Sequence, residues 1–196
     1  MGSTGVNLFI FLNLSFFCKQ TQGNMLEGKI VQGDYVKILN YPHAVYLEIQ
    51  CEDRSTHICG SSVLNQYYLV SVAHCFNTIG KKGKIIAFAG HENIKKDVTH
   101  EESFLLKSVT QTLKTRKYCN VLRLGPGMFC AGSMRPSDPR PASGDSGSGL
   151  VTKNHQLIGL LSYKVAKFPA LPVYTNVSYY YNWIIYTTGS AFCTPR

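Results

Sequence analysis

A serine set among glycines and directly behind an acid, Gly144-Asp145-Ser146-Gly147, is where this chain can present a side-chain nucleophile without bulky neighbours. In such a turn the Ser146 hydroxyl can be exposed. The main-chain N–H groups of Gly144 and Ser146 can then point at one spot, where the oxyanion of an acyl transfer would sit. The glycines make that backbone accessible. The chemistry also needs a base, because a serine hydroxyl is a poor nucleophile until an imidazole takes its proton, and histidine alone titrates near neutrality without help. His74 closes an apolar run in Val72-Ala73-His74-Cys75. Read alone, Gly-Asp-Ser-Gly is first of all an ordinary turn; its company gives it weight.

A third stretch completes that company. Lys29-Ile30-Val31-Gln32-Gly33 sets a basic residue before a β-branched pair and a glycine. In this order the three motifs resemble those of the chymotrypsin-like serine proteases (the S1 peptidase family), and the likeness runs from Ile30 to about Trp183 with one interruption. The resemblance implies a secreted serine endopeptidase with Ser146 as nucleophile, His74 as general base and Gly144 and Ser146 as oxyanion donors. It also implies a zymogen cut after Lys29 by a trypsin-like enzyme. The new α-amine of Ile30, with a pKa near ~8, would be mostly charged at neutral pH and would pair with Asp145, ordering the loop that carries Ser146.

The elements that must position these groups read as all-β. Hydrophobic residues make up 44% and charged ones 16% of 196 residues, with Tyr, Phe, Val and Ile plentiful, which suits strands. From Asp34 to Cys75 short apolar runs alternate with polar breaks, the spacing of antiparallel strands. Gly80 to His91 reads as a further hairpin, and Asn93 to Asp97 as a polar loop. Met128-Phe129-Cys130, Leu157 to Tyr163 and Pro172 to Val177 resemble the family's later strands, and Ser178 is expected to cap a terminal helix through Trp183. The expected architecture is a chymotrypsin-like double antiparallel β-barrel, incomplete at the barrel junction, with a C-terminal helix.

The incompleteness is expected from spacing. His74 and Ser146 stand 72 residues apart, where the family template separates base and nucleophile by roughly 140. About 65 residues are thus missing relative to that template, in one block near 100–101. The block takes with it the strand bearing the triad's acid and the Gly-Trp-Gly that follows. Asp97, Glu92, Glu101 and Glu102 are the nearest acids, and none stands in the family's motif. Six residues before the serine, where the family places its selectivity residue, stands Arg140, which disfavours cutting after Lys or Arg; a shift of one or two residues among the prolines at 136, 139 and 141 would bring Asp138 there instead. Ala142 replaces the cysteine that usually braces the pocket, and Lys164 replaces the glycine that leaves the cleft open.

Seven cysteines in so short a chain point to an oxidising compartment. Residues 6–17 form an apolar run of signal-peptide length, too short to span a bilayer. The expected organisation is a signal peptide over 1–23, which takes Cys18 with it, an activation propeptide over 24–29 and a peptidase domain over 30–196. The resemblance implies the pairs Cys59 with Cys75 and Cys119 with Cys130. Cys51 and Cys193 are left over, to bridge each other or to pair with another chain. The formal charge of +9 favours acidic or polyanionic partners, but no nucleic-acid reader pattern is present. No metal or cofactor is implied. Two functions compete. The first is an endopeptidase impaired by the missing acid; the second is a non-catalytic homologue serving as a binding or regulatory module.

Overall fold

The computed structural model of the chain describes residues 30–91, 93 and 105–189. The expected leader and propeptide with Lys29, the four candidate acids, Cys18 and Cys193 lie outside the described residues.

Two four-stranded antiparallel sheets carry the fold. In the first, β2 (Ala44–Gln50) pairs with β3 (Thr56–Val63) on one side and β5 (Lys84–Ala89) on the other, and β4 (Leu69–Val70) extends the far side of β3. Alternation along β2 sends Val45, Leu47 and Ile49 inward, the period-two pattern of a half-buried strand. They join Val70, Val72 and Phe76 in one core that also takes in Leu160 of the second sheet. The segment read as a hairpin over Gly80 to His91 is instead one strand. Its Val45↔Ala89 to Gln50↔Lys84 register uses the whole run against β2, leaving no second arm.

The second sheet runs in the order β7 (Met128–Cys130), β10 (Phe168–Asn176), β9 (Leu157–Val165), β8 (Gly149–Val151). Its β10 is central yet contains Pro169 and Pro172, which lack the N–H a ladder needs. The register of β10 against β9 accordingly shifts between Phe168 and Val173. Leu171 and Val173 bury against Met128, Cys130 and Leu122 in a second core. Two short strands, β1 (Asp34–Tyr35) and β6 (Lys107–Ser108), pair outside both sheets.

The chain closes on helix α1 (Tyr181–Thr188), whose Ile184 and Thr188 are buried. Ser178 does not cap it. The Asn176 side-chain oxygen accepts from the N–H groups of Ser178 (3.0 Å) and Tyr179 (3.4 Å), so Asn176 turns the chain and Ser178 offers only its carbonyl to Tyr181. An Asx turn wins because Asn176, two residues back, reaches the free N–H groups first.

Candidate active site

His74 and Ser146 come from different sheets and are held together by a short chain of bonds. His74 sits in a 3₁₀ turn, Ala73–Phe76, after β4. The next residue, Cys75, is disulfide-bonded to Cys59 in β3. The N–H of Gly60, the neighbour of Cys59, donates to the Ser146 carbonyl at 2.7 Å. The first sheet is therefore tied to the serine loop one residue from the imidazole. Leu160 packs in the core of the first sheet, and Gly147 N–H donates to the Leu161 carbonyl at 2.7 Å. The loop between β7 and β8 is thus gripped from both sheets.

The loop's conformation depends on glycine. Gly144 has φ +93° and Gly147 φ +89°, values that L side chains rarely adopt. A methyl at Gly144 would also lie 2.7 Å from the Ile58 side chain, and one at Gly147 would meet the Gly60 carbonyl and the Ser71 hydroxyl. Ser71 in turn donates to the Gly60 carbonyl at 2.8 Å. Close approach of two main chains is what leaves Ser146 half-buried on top of the turn. Among the described residues, neither the Gly144 N–H nor the Ser146 N–H donates to a main-chain acceptor.

Asp145 points the opposite way. It is 5% exposed, and its Oδ2 accepts from the main-chain nitrogens of Ile30 at 2.9 Å and Ala142 at 2.8 Å. Burial and then the charge of Asp145 raise the Tyr174 hydroxyl far above the usual tyrosine range. Ile30 holds φ +48°, a strained value for a β-branched residue. Val31 pairs with Arg140 through both main-chain bonds, 2.8 and 3.1 Å.

The imidazole of His74 titrates below its ordinary value, chiefly because protein around it removes water and secondarily through the electrostatic influence of the neighbouring His57. Neutral His74 is the form that can accept a proton. Among the described residues its ring has no carboxylate hydrogen-bonded to it. The position expected to set selectivity, Arg140, does not line an open slot. The Arg140 guanidinium donates to the Pro136 carbonyl at 2.9 Å, curling onto its own loop. Lys164 Nζ donates to the Pro141 carbonyl at 2.8 Å, joining β9 to the segment before the serine.

His57 is the residue that sequence reasoning passed over. It lies two positions before Cys59, with Nε2 on the Cys75 carbonyl at 2.6 Å and Nδ1 3.5 Å from the Cys51 sulfur. The available signal was hairpin spacing: Cys51 and His57 flank the turn between β2 and β3, and Cys51 was already unassigned. The second implied disulfide position, Cys119 with Cys130, holds a bridge that pins the 3₁₀ turn Tyr118–Leu122 to β7.

The family model described as Trypsin matches the chain twice, over residues 30–119 and 97–184. The chain belongs to the trypsin family of serine proteases. Human transmembrane protease serine 11A is 43% identical over 70 residues, which are 33% of this chain and 16% of that protein. The chain therefore matches only a minor part of that relative's length. Among solved structures, HL collagenase superposes with a TM-score of 0.64 at 14% identity, covering 83% of this chain and 100% of that one. A scabies mite inactivated protease paralogue superposes with a TM-score of 0.60 at 17% identity, covering 83% and 99%. At these identities the superpositions speak for the double-barrel fold and not for activity.

Proposed function

We propose that the chain is a secreted serine endopeptidase, made as a zymogen opened after Lys29, which forms an acyl-enzyme on Ser146 and turns over slowly for want of an acid behind His74. The observation that carries the reading is the contact of Ile30 nitrogen with Asp145 Oδ2 at 2.9 Å. Cleavage would convert that amide into an ammonium at the same spot, and a charge-assisted hydrogen bond is roughly twice as strong as a neutral one. The glycine-dependent loop around Ser146 and the neutral bias of His74 support the same assignment.

The slowness has a physical cause. An acid at the far nitrogen fixes the imidazole's tautomer and stabilises its cation, and replacing it in the family's template costs about 10⁴ in turnover, or roughly 5.4 kcal/mol of transition-state stabilisation. The reading is tested by labelling the Lys29-cleaved chain with a fluorophosphonate probe. Labelling that exceeds that of the Ser146→Ala variant is expected; equal labelling overturns the assignment.

A specific observation favours the second reading, a non-catalytic homologue acting as a binding module. The Lys164 bridge to Pro141 draws together two segments that would have to stand apart to admit a substrate side chain. A cooperatively folded, cleaved chain that labels no better than Ser146→Ala would decide for it.

A further inference from the structure

Four cysteines of the described residues are joined in two disulfides, and the fifth, Cys51, keeps a buried thiol. It has an organised environment. Cys51 opens the turn that joins β2 to β3, held there by its N–H on the Ser55 carbonyl at 2.8 Å and by the Arg54 N–H on its own carbonyl at 3.0 Å. Six residues on, the half-buried His57 presents Nδ1 to the sulfur at 3.5 Å. On the other side the Thr78 hydroxyl lies 3.4 Å from the same sulfur.

The orientation of His57 follows from its other contact. A carbonyl oxygen can only accept, so the 2.6 Å bond to Cys75 places the proton of the neutral imidazole on Nε2. Nδ1 is then a lone pair aimed at the thiol. Nucleophile, base and a third group that orients the base stand in hydrogen-bonded order, the arrangement that activates a weak nucleophile. The Thr78 hydroxyl is free to turn its proton toward the sulfur once that sulfur is a thiolate. None of these groups takes part in the chemistry assigned to Ser146.

We propose that Cys51 and His57 form a second nucleophilic site, at which the thiol is modified by low-molecular-weight disulfides. The Cys51 S–H proton passes to His57 Nδ1, and the thiolate attacks one sulfur of the small disulfide. The S–S bond of that molecule breaks as the bond to Cys51 forms. The departing thiolate takes the proton back from His57, so that thiol and disulfide give mixed disulfide and free thiol with no outside oxidant. The turn Glu52–Thr56 beside Cys51 is exposed, and a small disulfide would have to enter past it as that turn opens. In that turn Glu52 and Asp53 outnumber Arg54, a net negative charge that favours a cationic disulfide over an anionic one. The Cys75 carbonyl that orients His57 belongs to the residue after His74, and His57 already acts on the His74 charge. The modification therefore lands one imidazole from the candidate base.

Cystamine is the probe, and the readout is the rate at which the tryptic peptide ending at Arg54 gains one cysteamine. The full chain is compared at pH 6 in its native state and in denaturant with disulfides intact. At that pH an unassisted thiol is under about 1% thiolate, so the native chain is expected to react at least about tenfold faster than the unfolded one. His57→Gln is expected to remove that native advantage while leaving the unfolded rate unchanged. A native rate at or below the unfolded rate overturns the proposal without recourse to any variant. So does an intact chain in which Cys51 is already bridged to another cysteine.

Discussion

The nitrogen of Ile30 lies 2.9 Å from a carboxylate oxygen of Asp145, across 115 residues of chain, and that same oxygen also takes the N–H of Ala142. One buried acid thereby ties the start of the described chain to the turn that carries Ser146. Replacing it with the neutral isostere keeps an acceptor but removes its charge, and hydrogen bonds to charged groups exceed neutral ones by about 1 kcal/mol each. Asp145→Asn is expected to destabilise the uncut chain by about 2 kcal/mol for the two bonds, read as a lower urea midpoint at unchanged slope. An unchanged midpoint would mean that the carboxylate is not what holds Ile30.

The serine turn is expected to reject any side chain at Gly144. A residue there meets the +93° backbone value and the Ile58 side chain at once. Gly144→Ala is expected to lose about 1–3 kcal/mol and to abolish fluorophosphonate labelling of the cleaved chain. The double variant with Ile58→Ala removes the crowding and not the backbone strain. If it regains wild-type stability beyond what Ile58→Ala alone costs, contact rather than φ is the constraint.

Fold and site differed in how much of them could be read from sequence. The alternation in β2 and the β-rich composition pointed to antiparallel sheets, because inward Val45, Leu47 and Ile49 leave a period of two in the chain itself. Gly80 to His91 misled, since turn residues bracket a single strand as readily as a hairpin, and only pairing with β2 tells them apart. Ser178 misled because Asn176 competes for the same N–H groups. Gly144, Asp145 and Ser146 are contiguous and so stood out as a unit. The Cys51 and His57 pair and the Lys164 contact with Pro141 are non-local, and no periodicity announces them.

Acid is expected to destabilise the chain earlier than its carboxylates alone would dictate. His43, half-buried, is pushed below its ordinary value by burial and then by His155; His74, though its surface is exposed, is lowered by loss of hydration on its protein side and then by His57. With unfolded values near ~6.5, the unfolded chain binds more protons than the folded one just below that pH, so stability rises with pH there. Stability held above about pH 6.5 is lost as pH falls through the lower folded values. Urea midpoints measured between about pH 7 and 5 should fall, and His43→Gln with His74→Gln should flatten the curve. A rise toward acid would contradict both directions.

Lys164 is expected to restrict what reaches Ser146 rather than to hold the fold. Its ammonium spans from β9 to the Pro141 carbonyl at 2.8 Å, while the residue itself remains exposed. An exposed charged contact is screened by solvent and contributes little, about 0–1 kcal/mol, so Lys164→Gly should move the urea midpoint only modestly. The same change removes the bridge between the two segments and leaves room where the side chain lay. On the Lys29-cleaved chain, peptide phosphonates with a bulky residue beside the reacting centre should label Ser146 faster in Lys164→Gly than in the wild type, with small-residue phosphonates gaining less. If both classes change equally, Lys164 acts on the serine loop as a whole. If neither changes, the Pro141 contact does not gate the site.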